Sequence, residues 1–415
     1  MPNRRTFLAR SGQFALVAAG TTSRLNAIPT TPPNASKVVL GKNPHLVIHE
    51  SNPAVLETPR SMLAGTRLTD VTTLFVRNNQ QPDFAATLKP VPAKSWAINI
   101  DGLVSKAISV DASELSKLDQ TEVQMVLQCS GNGRSLFSLD AQTKGTQWGH
   151  GAMGNVRFAG VPLAALLKHK NITVHPEAEY VVANGKDGPV SGKEDFLHTL
   201  PAKEVLSRSF LALRMNGKPL PAIHGGPVRL VTPGVYATMH IKWLGSLQFV
   251  RDESKNHNHA VRYRVPRRSI RPGDEFSATL ANSRFNWRMK TKSVVLSPAP
   301  GTQVGTGKTL IQGVAFNDGL ADIETVLVSI DQGKTWQRTM LTPTAKPFGW
   351  WNWKLALSLK ASPMEIWSRA IDSRGRSQPL EGSIAWNTRG YEWNGVEKVK
   401  INAVDKGAAS APQRQ

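Results

Sequence analysis

The 415-residue sequence holds a single cysteine, Cys129, and that scarcity excludes several chemistries at once. One thiol cannot close an intrachain disulfide, and one thiolate cannot complete a structural zinc site. No Cys-x-x-Cys-His run is present to attach a c-type haem, so no haem is expected in this chain. Acidic residues are scarce as well: 30 Asp and Glu stand against 51 Lys and Arg, for a formal charge of +21. The surplus is scattered, its densest run being residues 262–271. Such a balance suits nucleic acid, an anionic surface, an acidic protein partner or an anionic substrate. No aromatic-interleaved nucleic-acid signature accompanies it, so nucleic acid is not expected as a partner. No apolar run reaches the roughly 18 residues that span a bilayer, so no integral membrane segment is expected.

The amino terminus does carry a pattern. Arg4 and Arg5 precede a short apolar stretch at 11–20 and small residues near 25–27. Residues 1–27 therefore read as a twin-arginine signal peptide, which directs a folded protein to the periplasm. An exported chain that keeps one unpaired thiol and makes no disulfide needs a reason for that thiol.

Cys129 ends an apolar, strand-like run at 123–128 and opens Cys-Ser-Gly-Asn-Gly-Arg at 129–134. Three roles fit a lone thiol: a small buried hydrophobe, a nucleophile, or the single protein ligand of a metal held mostly by an organic cofactor. Gly131 and Gly133 allow close approach to a bulky ligand or a positive φ. Arg134 favours a thiolate and attracts an anion.

Residues 28–70 are Pro- and Thr-rich and read as an extended N-terminal arm. Residues 71–285 mix short strand-like runs with short helical patches at 162–168 and 202–208, among many Gly and Pro joints, which predicts an α+β domain. From 286 to 402 the character changes. Eight of the eleven tryptophans fall in 287–393, and 324–330 alternates with period two, which predicts an all-β sandwich of immunoglobulin-like spacing. Residues 403–415 read as a flexible tail.

Three further clusters carry chemistry: residues 74–79, a strand end delivering an arginine and two amides; 147–154, Gly-rich around His150; and 216–245. In the last, His224, Arg229, His240 and Lys242 gather donors around tight Pro/Gly turns, a set suited to phosphate or pterin oxygens.

These runs resemble the sulfite oxidase family of molybdenum–molybdopterin enzymes, over nearly all of residues 75–401. The motifs are Phe-Val-Arg-Asn at 75–78, Cys-Ser-Gly-Asn-Gly-Arg at 129–134, His-Gly-Gly-Pro-Val-Arg at 224–229 and His-Ile-Lys-Trp-Leu-Gly at 240–245. The C-terminal part, with Asp-Gln-Gly-Lys-Thr-Trp at 331–336 and Trp-Asn-Thr-Arg-Gly-Tyr at 386–391, resembles the family's immunoglobulin-like dimerisation domain. The resemblance implies a homodimer. It also implies that Cys129 is the thiolate ligand of molybdenum, with Phe75, Val76, Arg77, Asn78, Asn79, Asp187, His224, Arg229, His240, Ile241 and Lys242 cradling the pterin and its phosphate. Arg77 and Arg134 would hold a small sulfur oxyanion. The implied activity is periplasmic oxidation of sulfite to sulfate by oxygen-atom transfer, with electrons passing to an external c-type cytochrome.

The chain departs from the family pattern twice. Asn79 stands where the family has histidine, and the family's tyrosine near the metal aligns with Phe196. Losing an imidazole and a phenol removes proton-handling groups. A relative acting on sulfane sulfur held by a carrier, or on a sulfoxide, is an alternative within the enzyme class. An exported binding protein with a merely buried Cys129 is the alternative outside it.

Overall fold

The computed structural model describes residues 39–405, except for 88, 90, 191 and 343–346. The expected export signal and most of the expected tail lie outside the described residues.

The residues of the site come from three sheets and the loops between their strands. Residues 121–128, rich in Val, Met and Leu, form a strand that starts exposed and runs into the core, so the thiol that follows emerges buried. This strand pairs antiparallel with Met153–Pro162, which pairs with Phe210–Met215; Arg229–Val231 pairs on the latter. Gly160 permits that packing, because a Cβ there would lie 2.0 Å from the Leu211 carbonyl oxygen. A second, mixed sheet runs Ile108–Asp111, Ala97–Gly102, Leu244–Val250, Tyr180–Gly185, Leu197–Pro201. Its Trp96, Ile98, Ile100, Leu247 and Phe249 bury the largest apolar core together with helices Leu163–His169 and Ala202–Arg208. The segment read as an extended arm supplies strands Val47–Ser51 and Ala54–Glu57, and the latter pairs with Val76–Arg77, fixing Arg77 at a strand end.

The carboxy-terminal part, from Lys292 to Val404, is an all-β sandwich. A four-stranded sheet (Lys292–Ser297, Gly307–Phe316, Trp351–Leu359, Met340–Thr342) faces a five-stranded one built on Ser362–Asp372 and Lys398–Val404. Period-two alternation in Ile323–Ser329 places Val326 and Val328 in the shared core with Trp353, Ile366 and Ile401. The α+β domain followed by a β-sandwich thus matches the expectation.

Between its last long strands the sandwich sends residues 386–393 back onto the first domain. The Lys144 N–H donates to Thr388 O (2.8 Å) and the Glu392 N–H to Ser130 O (2.8 Å), while Trp386 and Trp393 pack with Phe137. The turn at 129–134 meets this segment through Gly133, which sits at φ 90° and whose Cβ would lie 3.1 Å from both His150 and Trp393. Gly133→Ala is therefore expected to cost about 1–3 kcal/mol of stability by urea denaturation, and no measurable loss would contradict this account of the turn.

Candidate active site

Ten of the residues singled out from sequence line one pocket of about 1110 Å³, counted to its open mouth: Phe75, Arg77, Asn79, Cys129, Arg134, Asp187, His224, Arg229, His240 and Lys242. Three do not. Val76 packs with Leu46, Ala54, Leu56 and Ile223, and Ile241 lies in the main core, its carbonyl accepting the Leu230 N–H at 2.9 Å. Asn78 is buried behind the wall, where its side-chain oxygen accepts from Lys242 Nζ. Their part in the pocket is to place their neighbours, not to face a ligand.

The polar end of the pocket is crowded with donors. Arg229 is buried, donates from Nη1 to His224 O at 3.0 Å and leaves Nε without a partner; burial lowers its pKa to about 9. His240 donates from Nε2 to Thr232 O at 2.9 Å, and its buried Nδ1 has no partner. Burial, then Arg229, lowers His240 to about 3, so the ring is neutral. His224 is held well below the usual histidine range by burial and by Lys42, which donates to its Nε2 at 3.2 Å. Lys42 itself is lowered to about 7 by burial. Lys242 is pushed well below the usual lysine range by burial and Arg229, and its ammonium lies 4.7 Å above the Trp243 ring. Asp187 is raised to about 7, chiefly by burial.

Across the whole lining, Arg77, Arg134, Lys144, Arg229, Lys242, Arg262 and Arg389 face one carboxylate, Asp187. Desolvated cations without matching carboxylates are unfavourable until an anion joins them. The arrangement is that of a site for a buried polyanion.

The other end holds the thiol. Cys129 is 7% exposed, and Trp148, Arg77, Tyr263 and Tyr391 share its wall. Burial opposes the charge on Arg77, but the neighbouring Tyr263, Cys129 and Tyr391 more than offset it. Arg134 is tied down: Nε donates to Arg389 O and Nη1 to Thr146 O, both at 2.7 Å, and its guanidinium lies 5.2 Å over the Tyr391 ring. A Cβ on Gly131 would sit 2.5 Å from Arg134 Nη2. The room that this glycine leaves is therefore filled by the chain's own arginine.

Sequence reasoning missed Trp148, Tyr263, Arg262 and Arg389 as wall residues, and placed Tyr391 only in the second domain. Phe196 itself supplies no phenol, but two stand elsewhere in the lining, on Tyr263 and Tyr391. Phe196 does line the pocket, but edge-on to Tyr263 at 5.5 Å, and Tyr263 stacks on Tyr391 at 5.6 Å. Arg389 stood two residues before Tyr391 in an already noted motif, the one signal that was available. Tyr263 lay in a run noted only for its charge.

Residues 86–258 match the oxidoreductase molybdopterin binding domain family, and residues 283–404 match the Mo-co oxidoreductase dimerisation domain. The mitochondrial sulfite oxidase of Rattus norvegicus is 30% identical over 372 residues, an alignment spanning 88% of this chain and 66% of that protein. The sulfite oxidase of Gallus gallus is 30% identical over 369 residues, covering 84% of this chain and 76% of that protein. Among solved structures, the sulfane dehydrogenase SoxCD from Paracoccus pantotrophus superposes with a TM-score of 0.71 at 26% identity, covering 86% of this chain and 88% of that one.

The raised pKa of Asp187 yields a test of the site's electrostatics. Its folded value of about 7 exceeds the usual 3.8, so the folded protein holds this proton more tightly than the unfolded chain does. The ionised form therefore costs stability, a cost absent below about pH 4 and fully present above about pH 7. Asp187→Asn should stabilise the ligand-free protein at pH 8 by up to about 4 kcal/mol more than at pH 4, measured by chemical denaturation. An equal effect at both pH values would contradict it.

Proposed function

Because this chain belongs to the sulfite oxidase family of molybdopterin-dependent oxidoreductases, we propose that it oxidises a small sulfur oxyanion, sulfite, to sulfate. The observation that carries this reading is the pairing of a lone thiol with a pocket of seven cations and one carboxylate. The residues fit a molybdenum–molybdopterin group. Arg229 Nε and His240 Nδ1 are buried polar atoms in need of a partner, and Arg229 and Lys242 are desolvated cations suited to a phosphate. A soft thiolate suits the metal.

In this reading, His224, Arg229, His240 and Lys242 hold the pterin phosphate, and Cys129 ligates the metal. When bound, the group supplies oxygen-atom transfer and takes up the electron pair; the protein's part is to position and to screen. Arg77, whose Nη1 already donates to Asn78 O, orients the oxyanion with its remaining N–H groups, and Arg134 assists from Nη2, since its other nitrogens are held by backbone carbonyls. The Tyr263 and Tyr391 phenols stand beside Cys129 and Arg77, where they can hold a proton or donate to an oxyanion. The electron acceptor is a separate c-type cytochrome with an acidic face, favoured by the basic run at 262–271. The dimerisation domain supports a homodimer.

A second reading, sulfane sulfur on a carrier, has one observation in its favour. Past Asn79, Arg262 and Arg389 the site continues into a groove bordered by Lys193, Glu194, His257 and Asn258, which gives room for more than a free oxyanion.

Arg77→Gln separates the two readings. A small dianion held by Arg77 should bind worse by roughly 2–4 kcal/mol, a rise in KM of about 30- to 1000-fold at unchanged molybdenum content. An unaltered KM in the fully loaded variant would exclude sulfite held there and favour the larger substrate. Export is tested separately: the twin-arginine reading expects the protein in the periplasmic fraction and a cytoplasmic precursor when Arg4 and Arg5 are both replaced by Lys. Undiminished export of that double variant would overturn the routing.

A further inference from the structure

Lys292 opens the strand Lys292–Ser297 of the second domain and is 1% exposed. The nearest carboxylate, Glu397, is already taken by a bidentate pair with Arg60. Burying an ammonium in this way costs several kcal/mol, and an apolar side chain would fill the same volume more cheaply. Burial lowers Lys292 to about 7 despite Glu397. The contacts of its tip account for the polar group. Nζ lies 5.0 Å over the Trp393 ring and donates to Trp393 O at 2.9 Å and to Asn132 O at 3.3 Å.

Asn132 is the hub of the turn that carries the thiol. Its N–H donates to Cys129 O at 3.0 Å, its Nδ2 to Gln128 Oε1 at 3.3 Å, and its Oδ1 accepts the Ala152 N–H at 3.0 Å. Ala152 in turn accepts the Cys129 N–H at 2.9 Å. The carbonyls from 129 to 132 divide evenly between two sources of donors. Cys129 O and Gly131 O accept from within the turn, from Asn132 and Arg134; Ser130 O accepts from Glu392 N and Asn132 O from Lys292 Nζ. Half of the carbonyl partners of the thiol turn therefore come from the second domain.

We propose that Lys292 is a positioning residue for Cys129, acting through the Asn132 carbonyl and locking the thiol turn to the second domain. The proposal rests on the reading of Cys129 as the metal ligand. Without the lysine donor, the Asn132 carbonyl is buried and unpaired, and the turn relaxes towards another partner, carrying the thiol off its line with Arg77. The consequence falls on the rate more than on anion binding, because Arg77 sits on another strand and the Arg134 guanidinium is held separately by the carbonyls of Thr146 and Arg389.

The test compares wild type with Lys292→Met, which keeps length and removes the donor, and with Lys292→Gln, which keeps a shorter donor. In the cofactor-free proteins, labelling of Cys129 by an aromatic disulfide reagent should run about tenfold faster in the Met variant and at an intermediate rate in the Gln variant. In the loaded enzymes, molybdenum per chain should match wild type, kcat for sulfite should fall about tenfold or more, and KM should stay within about twofold. Wild-type labelling rates with only a lowered melting temperature would overturn the proposal, as would failure of both variants to fold, since the lysine is then simply structural. Failure of the underlying reading looks different: Cys129→Ala would retain its full molybdenum whatever the Lys292 variants do.

Discussion

The uncompensated positive charge inside the pocket is the constraint to which the rest of the molecule answers. Seven Lys and Arg side chains face a single carboxylate, several of them beneath the surface, where water cannot stabilise them. The most deeply buried of them are tied to backbone: Arg229 to His224 O, Arg134 to the carbonyls of Thr146 and Arg389, Lys242 to Ile223 O at 3.2 Å. Neutral carbonyls hold these groups without discharging them, so the field stays available to an anionic ligand. The histidines follow the same logic. His224 and His240 are kept neutral by burial and neighbouring cations and so add hydrogen-bonding atoms without adding charge.

Neither domain makes this pocket alone. The first supplies the strand ends that carry Arg77, Cys129 and Arg229; the second returns 386–393 to the wall with Arg389 and Tyr391. The join is polar as well as apolar. Arg60 pairs with Glu397, Arg284 with Glu392 at 2.7 Å, and Lys292 reaches the thiol turn from below. A change in the seating of the sandwich is felt at Cys129 through two backbone carbonyls, and this gives the second domain a role in the chemistry besides any role in assembly.

Much of this was legible in the sequence, for identifiable reasons. Cys129 stood out because nothing else in the chain shares its chemistry, and the Gly131/Gly133 pair because it permits close approach or a positive φ, of which Gly133 takes the second at φ 90°. The sandwich was readable from period-two alternation and clustered tryptophans. Contacts between distant segments were not readable. Tyr263 faces Tyr391 across 128 residues of chain, and no local pattern marks either as a wall residue. At Gly131 the close approach is made by the Arg134 guanidinium, a contact no local pattern marks. No sequence pattern sets Lys292 apart from the other lysines; its burial does.

The central claim is that the lone thiol is a metal ligand inside a cation-lined cofactor site. X-ray absorption at the molybdenum edge of the purified wild-type protein tests it most directly. The account predicts a sulfur shell containing one atom more than the pterin dithiolene supplies. A sulfur shell accounted for by the dithiolene alone, in protein fully loaded with molybdenum, would contradict it.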